Sequence, residues 1–382
     1  MRKIVILGST GSIGVNTLKV VDRFPGKFKV IGLTAYNNFE LLFEQIKKYS
    51  PLYVAVGLKG MDYLKRTIAS SKIKVLSVEH DLSDLVTLPL VDIVVIGMRG
   101  SAALGPFLSA VRAGKRVAPA NKEALVVAGD IIMREAKRCG AEIIPVDSEQ
   151  SAIFQCLEGR KRSELKKIFL TASGGAVYHV PKAEFGKLSV RRILNHPRWK
   201  MGKKITVDSA TLMNKGFEVI EAIRLFHLDV EQIEVVIHPE AVIHSMVGLR
   251  DGSIIAQMGV PDMRLPIQYA LTYPERLESG VDEMDFYKLK KLTFEAPDLA
   301  KFPALSLAFY AVRKGGTLPC VLNAVDEEAV TAFLDGHLSF SKIVPIVEKV
   351  LLKHKIIKAP HLKELSSVDA WAREEAKRLI AN

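Results

Sequence analysis

Gly8-Ser9-Thr10-Gly11-Ser12-Ile13-Gly14 follows a short apolar run at residues 2–7, RKIVIL, and opens a helical pattern from about Ile13 to Arg23. An apolar run closed by glycine reads as a strand buried on both faces. The glycines allow a tight turn and let the backbone approach a pyrophosphate, which would sit on amides at a helix N-terminus. The spacing is GxxGxxG rather than GxGxxG, so the strand before and the helix after carry the dinucleotide reading. The alternative is a merely tight strand–helix turn.

Outward from this loop the same alternation continues. Apolar runs at Phe28–Leu33, Tyr53–Val56, Lys74–Val78, Asp92–Ile96, Arg116–Ala118 and Glu142–Pro145 are separated by helical periodicity, including Phe39–Tyr49. Strands alternating with helices predict an α/β region, a parallel sheet with right-handed crossovers, over residues 1–147. Residues 148–272 read as α+β, with strands near Lys167–Thr171, Glu234–Ile237, His244–Leu249 and Ser253–Met258. The last two flank Arg250-Asp251-Gly252, a hairpin turn. Residues 273–300 read as a Pro- and charge-rich linker, and 301–382 as a helical bundle ending in a helix over Ala370–Ile380.

The chain has 382 residues, 48% hydrophobic and 25% charged, with a formal net charge of +12. That length predicts two or three domains. No stretch approaches the roughly 18 apolar residues of a membrane span, and no leader precedes the first strand, so a cytoplasmic protein is expected. Cys139, Cys156 and Cys320 form no CxxC pair and read as small hydrophobes. The basic residues are scattered, with little aromatic interleaving, which argues against a nucleic-acid surface and suits phosphorylated small molecules.

After the second strand, Thr34-Ala35-Tyr36-Asn37-Asn38 has no acid at the strand end. Because a carboxylate there would repel a 2′-phosphate, its absence favours NADPH over NADH. Asp147-Ser148-Glu149 is expected to continue a strand at Ile143–Val146, with both carboxylates on one side and Ser148 turned away. Two such acids call for a hard cation such as Mg2+ or Mn2+, or else form a solvated turn. In Val207–Glu218, Asp208 or Ser209 suits a helix N-cap. On that helix Asn214, Lys215 and Glu218 would share a face, either as phosphate and metal ligands or as a surface Lys215–Glu218 ion pair. Thr171-Ala172-Ser173-Gly174-Gly175 offers a hydroxyl and amides for an anion, and the long basic stretch through His196-Pro197-Arg198-Trp199-Lys200-Met201-Gly202 suits a lid with an exposed Trp and Met.

GSTGSIG, Ala120–Glu123 (ANKE), Pro145–Glu149 (PVDSE), SGG, HPRW, VDSATLMNKGFE and IHPEAVIHSMV, in this order, resemble the 1-deoxy-D-xylulose 5-phosphate reductoisomerase family. The resemblance implies an NADPH- and Mg2+- or Mn2+-dependent homodimeric enzyme of non-mevalonate isoprenoid synthesis. Its substrate would be a small sugar phosphate. Its domains would be an N-terminal Rossmann-like one, a central catalytic one and a C-terminal helical one. Asp147, Glu149 and Glu218 are then the implied metal ligands. Ser148, Ser173, His196, Trp199, Ser209, Asn214, Lys215 and Glu218 are the implied substrate contacts. Lys122, Ser148, Glu149 and His196 are the implied catalytic set, and His196, Trp199 and Met201 the lid. Thr10, Gly11, Ser12, Ile13, Asn37, Asn38, Asn121, Glu123 and Gly202 are the implied cofactor contacts, and Arg99 is a candidate for part of the 2′-phosphate contact. The family usually carries a basic residue where this chain has Asn37.

Two rivals are a dehydrogenase acting without rearrangement and a dinucleotide sensor without catalysis; neither requires three carboxylates gathered from separate segments. His238, Glu240 and His244 read as structural or interface groups.

Overall fold

The computed structural model describes residues 1–68, 72–199 and 201–381. They form two compact units: Met1–Ala124 with Asp130–Ser151 and Asp262–Asp282, and Leu125–Gly129 with Ala152–Pro261 and Glu283–Asn382.

The first unit is a parallel sheet of β1 (Arg2–Leu7), β2 (Phe28–Ala35), β3 (Tyr53–Val56), β4 (Lys74–Ser77), β5 (Ile93–Ile96), β6 (Arg116–Pro119) and β7 (Glu142–Ile143), in the order β4-β3-β2-β1-β5-β6-β7. Ile4 to Leu7, Val54 to Val56 and Val94 to Ile96 are fully buried, as strands covered on both faces must be. The chain order reverses between β1 and β5, the place where open α/β sheets bind ligands beyond their strand ends. Gly8 and Gly97 follow those two strands, and a Cβ on Gly8, at φ +83°, would lie 3.0 Å from the Gly97 carbonyl. Helix α1 (Ser12–Arg23) begins there, and α2 (Glu123–Cys139) follows β6. The expected strand at Ile143–Val146 is regular over Glu142–Ile143, the Ile144 and Val146 amides still donate to the Val117 and Pro119 carbonyls of β6, and the chain turns into a helix at Ser148.

That helix, α3 (Ser148–Leu157), runs on into the second unit. There a mixed sheet has the order β11-β10-β8-β9, from β8 (Leu165–Ala172), β9 (Ile233–Ile237), β10 (Ile243–Leu249) and β11 (Ile254–Met258). β8 and β9 are parallel; β10 is antiparallel to β8 and to β11. Ile153 and Cys156 of α3 share one buried cluster with Ile168, Leu170, Val219 and Ala222. Helix α4 (Lys203–Thr211) leads into α5 (Met213–Phe226), whose Val219, Ala222 and Ile223 pack on the sheet. A helical region with α6 (Pro303–Lys314), α7 (Leu318–Leu334) and a last helix at Leu362–Ala381 completes the unit.

A single helix capped by Asp208 or Ser209 does not form. Gly202 precedes α4, Asp208 and Ser209 lie inside it, and the chain breaks at Leu212, left-handed at φ +63° and buried. Among the described residues no helix is long and apolar enough to cross a membrane. The three cysteines are free thiols, two of them buried.

Candidate active site

In the first unit the glycine loop leaves little freedom. A Cβ on Gly14 would lie 2.3 Å from the Ser9 Cα, so α1 can start this close to β1 only with glycine there. The buried Ser9 hydroxyl is 2.7 Å from Gln45 Oε1, and the Gly11 amide donates to the Gly8 carbonyl. Thr10, Gly11, Ser12 and Ile13 thus surround the N-terminus of α1, whose first turn carries no acid. Anions are favoured at such a terminus. Asn37 is exposed just past β2, while the Asn38 side chain caps the following helix through the Leu41 amide. Asn121 donates to the carbonyls of Met98 and Gly100 and accepts from the Ala124 amide, tying the loops after β5 and β6 together. Glu123 opens α2.

Lys122 and Asp147 form a buried ion pair at 2.6 Å. Asp147 Oδ1 also accepts from the Glu149 amide, and Ser148 Oγ donates to Glu149 Oε2 at 2.6 Å. Strand alternation therefore does not describe Asp147-Ser148-Glu149: Ser148 bonds to Glu149 instead of turning away from it. Both carboxylates sit at the start of α3, the end of a helix that favours negative charge.

In the second unit a polar cluster gathers from three segments. His196 Nε2 lies 3.2 Å from Ser173 Oγ and 3.1 Å from Ser209 Oγ. Its Nδ1 accepts from the amides of Arg198 and Trp199 at 3.1 and 3.0 Å. Two N–H donors on Nδ1 leave the ring proton of the neutral imidazole on Nε2, facing the two hydroxyls. Burial pushes the His196 pKa down to about 4, so the ring is neutral at physiological pH. The glycines of the Ser173 loop make this convergence possible. Gly175 stands at φ +76°, where a Cβ would be 2.4 Å from the Ser209 carbonyl oxygen.

One helix further on, Asn214 donates to Glu218 Oε1 at 2.6 Å and Lys215 pairs with Glu218 Oε2. The Lys215–Glu218 pair exists, but as a buried one rather than a surface one: the two side chains are 4% and 1% exposed. Trp199 and Met201 are half-buried, not exposed as a free lid would require, and Gly202 caps α4; Lys200 lies outside the described residues.

His244, read from sequence as a structural or interface group, has a more specific neighbour. Its buried ring lies 6.1 Å from that of Trp199, and burial holds its pKa at about 4. His238 accepts from the Ile243 amide and, with Glu240, holds Thr293. Nothing in the local sequence marks His244 as the neighbour of Trp199, because β10 and the 196–202 segment are more than forty residues apart in the chain.

Three family descriptions match the chain: 1-deoxy-D-xylulose 5-phosphate reductoisomerase at residues 4–129, its C-terminal domain at 143–226, and the DXP reductoisomerase C-terminal domain at 258–375. Proteins called 1-deoxy-D-xylulose 5-phosphate reductoisomerase from Thermodesulfovibrio yellowstonii and Pelotomaculum thermopropionicum are 48% and 50% identical to it. The alignments cover 100% of this chain and 100% and 99% of theirs. Among solved structures, DOX-P reductoisomerase in complex with NADPH, fosmidomycin and magnesium is 38% identical with a TM-score of 0.95, covering 100% of this chain and 98% of that one. The Zymomonas mobilis enzyme in complex with NADPH is 39% identical with a TM-score of 0.93, over 99% of each chain.

Proposed function

The chain belongs to the 1-deoxy-D-xylulose 5-phosphate reductoisomerase family, and from that premise we propose the following assignment of its site. The enzyme is an NADPH- and divalent-metal-dependent oxidoreductase, using Mg2+ or Mn2+. It rearranges and reduces 1-deoxy-D-xylulose 5-phosphate to 2-C-methyl-D-erythritol 4-phosphate in non-mevalonate isoprenoid biosynthesis. The observation that carries the residue assignment is the cluster of Ser173, His196 and Ser209, with Asn214 and Lys215 on the next helix.

That cluster offers hydroxyls, a neutral Nε2–H, an amide and an ammonium, all able to donate to phosphate oxygens. The phosphate end of the substrate binds here. Holding it lets binding energy remote from the reaction align the carbons that rearrange. His196 acts through both ring nitrogens, since Nε2 faces the phosphate while Nδ1 holds the amides of Arg198 and Trp199. Filling the pocket is thereby coupled to ordering the segment with Trp199 and Met201, which excludes water from the reacting carbons.

Asp147, Glu149 and Glu218 are the metal ligands in this reading, and their hard oxygen donors fit Mg2+ or Mn2+. A cation held there supplies Lewis-acid polarisation of the substrate's ketone and orients its neighbouring hydroxyl. Lys122 holds Asp147 ready, and Ser148 donates either to Glu149 or to a substrate oxygen. The amides around Thr10–Ile13 receive the NADPH pyrophosphate, and Asn37, Asn38, Asn121, Glu123 and Gly202 complete its contacts. The three-domain division, with residues 273–300 as linker, a cytoplasmic location and a homodimer belong to the same reading.

NADPH absorbance followed with purified protein, Mg2+ and 1-deoxy-D-xylulose 5-phosphate tests it. Consumption abolished by EDTA is expected. No consumption with NADPH or NADH would sink the reading and leave a sensor or another dehydrogenase.

A further inference from the structure

The first turn of α4 carries a charged group that the phosphate pocket does not use. Lys204 Nζ lies 2.6 Å from Asp208 Oδ2, one turn along the same helix, and 2.7 Å from Asp326 Oδ2 of α7. It also sits 4.6 Å from the centre of the Phe217 ring of α5. The Lys204 side chain is 17% exposed, and those of Asp208 and Asp326 are 3% and 0% exposed.

Stability alone is a poor reason for such an arrangement. A buried ion pair or triad often stabilises no more than apolar side chains of the same volume, because desolvation offsets the attraction. Its geometry suggests another use. Lys204 lies two residues beyond Gly202, where the His196–Gly202 segment ends, and Asp208 immediately precedes Ser209. Asp326 of α7 therefore holds Lys204 directly and Asp208 through Lys204, the two ends of the turn leading to Ser209. On the other side, Gly175 leaves no room beside the Ser209 carbonyl, since a Cβ there would lie 2.4 Å from its oxygen. Rotation of α4 about its axis would swing the Ser209 hydroxyl away from His196 Nε2.

We propose that Lys204, through Asp208 and Asp326, is a positioning residue that fixes α4 so that Ser209 and His196 face the substrate's phosphate. The C-terminal helices then take part in substrate affinity, although they contribute no group to the pocket. This rests on the phosphate assignment made above.

Asp326→Ala tests it. The substitution leaves Lys204 and Asp208 as a charge-balanced pair, so the fold should persist, and Asp326→Asn restores an oxygen acceptor for the ammonium. For Asp326→Ala we expect KM for 1-deoxy-D-xylulose 5-phosphate to rise about tenfold, the scale of one hydrogen bond to a charged group. Inhibition by inorganic phosphate should weaken by the same factor. NADPH affinity and kcat should stay near wild type, and Asp326→Asn should recover most of the loss. Unchanged KM and phosphate inhibition, with any fall in rate following loss of folded protein, would overturn the proposal. If wild-type protein turned over no sugar phosphate, the functional reading would fail. Phosphate affinity measured by thermal shift would then decide the tether, a weaker value in Asp326→Ala supporting it and an equal one overturning it.

Discussion

His196 divides its two ring nitrogens between two roles, and a pair of amide substitutions separates them. Asn places an acceptor oxygen near the Nδ1 position and has nothing at Nε2. Gln reaches toward Nε2 with an N–H donor and leaves the amides of Arg198 and Trp199 without their acceptor. The Nε2–H faces two serine hydroxyls at 3.1 and 3.2 Å and, in the proposed complex, a phosphate. A hydrogen bond to a charged group contributes about 1.5–3 kcal/mol, so His196→Asn should raise KM for the sugar phosphate between about tenfold and a hundredfold. His196→Gln should keep more of that affinity and lose more kcat, because Trp199 is no longer held for closure. Steady-state kinetics following NADPH, with substrate varied, reads both. The ratio of KM between His196→Asn and wild type should also stay flat through neutral pH, since His196 titrates at about 4. Identical KM values for the two variants, or a ratio that climbs as the pH falls through about 6.5, would refute the neutral-donor assignment.

Three further outcomes follow from the same geometry. Gly175→Ala puts a methyl 2.4 Å from the Ser209 carbonyl at a left-handed φ; a loss of about 2–4 kcal/mol in denaturant melts is expected, and wild-type stability with wild-type KM would show that the loop is not pinned to α4. Glu218→Gln should weaken Mg2+ at least about tenfold in calorimetric titration, whereas an unchanged affinity removes Glu218 from the ligands. His244 is neutral in the fold, its pKa lowered to about 4 by burial, and the unfolded chain takes up that proton first as pH falls below about 6.5. Stability should therefore drop as pH falls from about 6.5 toward about 4, by at most about 3 kcal/mol for this group, and a His244→Gln variant whose acid limb is as steep as wild type would exclude His244 as the cause.

The first unit is legible in the sequence because its signals are local. Its strands β1, β2, β3 and β5 are largely buried runs of four to eight residues, and between them lie amphipathic helices. Boundaries at Phe39–Tyr49 and Tyr53–Val56 follow directly from where apolar residues stop. The apolar run at Glu142–Pro145 keeps bonding to β6 as far as Val146, whose amide donates to the Pro119 carbonyl, and the helix that starts at Ser148 is what ends it. Residues 203–226 depart further from their local signals. Asp208 and Ser209 are good cap residues by type, but here Asp208 pairs with Lys204, itself paired with Asp326 of α7, and the two candidates stay inside a helix that begins at Lys203. The break falls at Leu212, a residue with no local preference for a left-handed backbone. Packing that buries its side chain decides the conformation, and no sequence rule announces that.

For the site, the chain shows which groups are present but not which of them are already paired. Read from sequence, Asp147 and Glu149 call for a cation or form a solvated turn, and Glu218 either completes a metal site or pairs with Lys215 at the surface. In the structure Asp147 has Lys122, Glu218 has Lys215 and Asn214, and Asp147 and Glu149 lie at the positive end of α3. Lys122 is 25 positions from Asp147, and whether the chain enters a helix at Ser148 or continues as a strand decides the electrostatics of both acids. Unbalanced charge is therefore not what calls for a metal. Donor type is: these are hard oxygens whose ammonium partners could turn to the substrate's own oxygens once a cation arrives. In the proposed assignment Lys122 and Lys215 are the cations that would turn from these carboxylates to the substrate's oxygens, and their present pairing is what spacing along the sequence could not reveal.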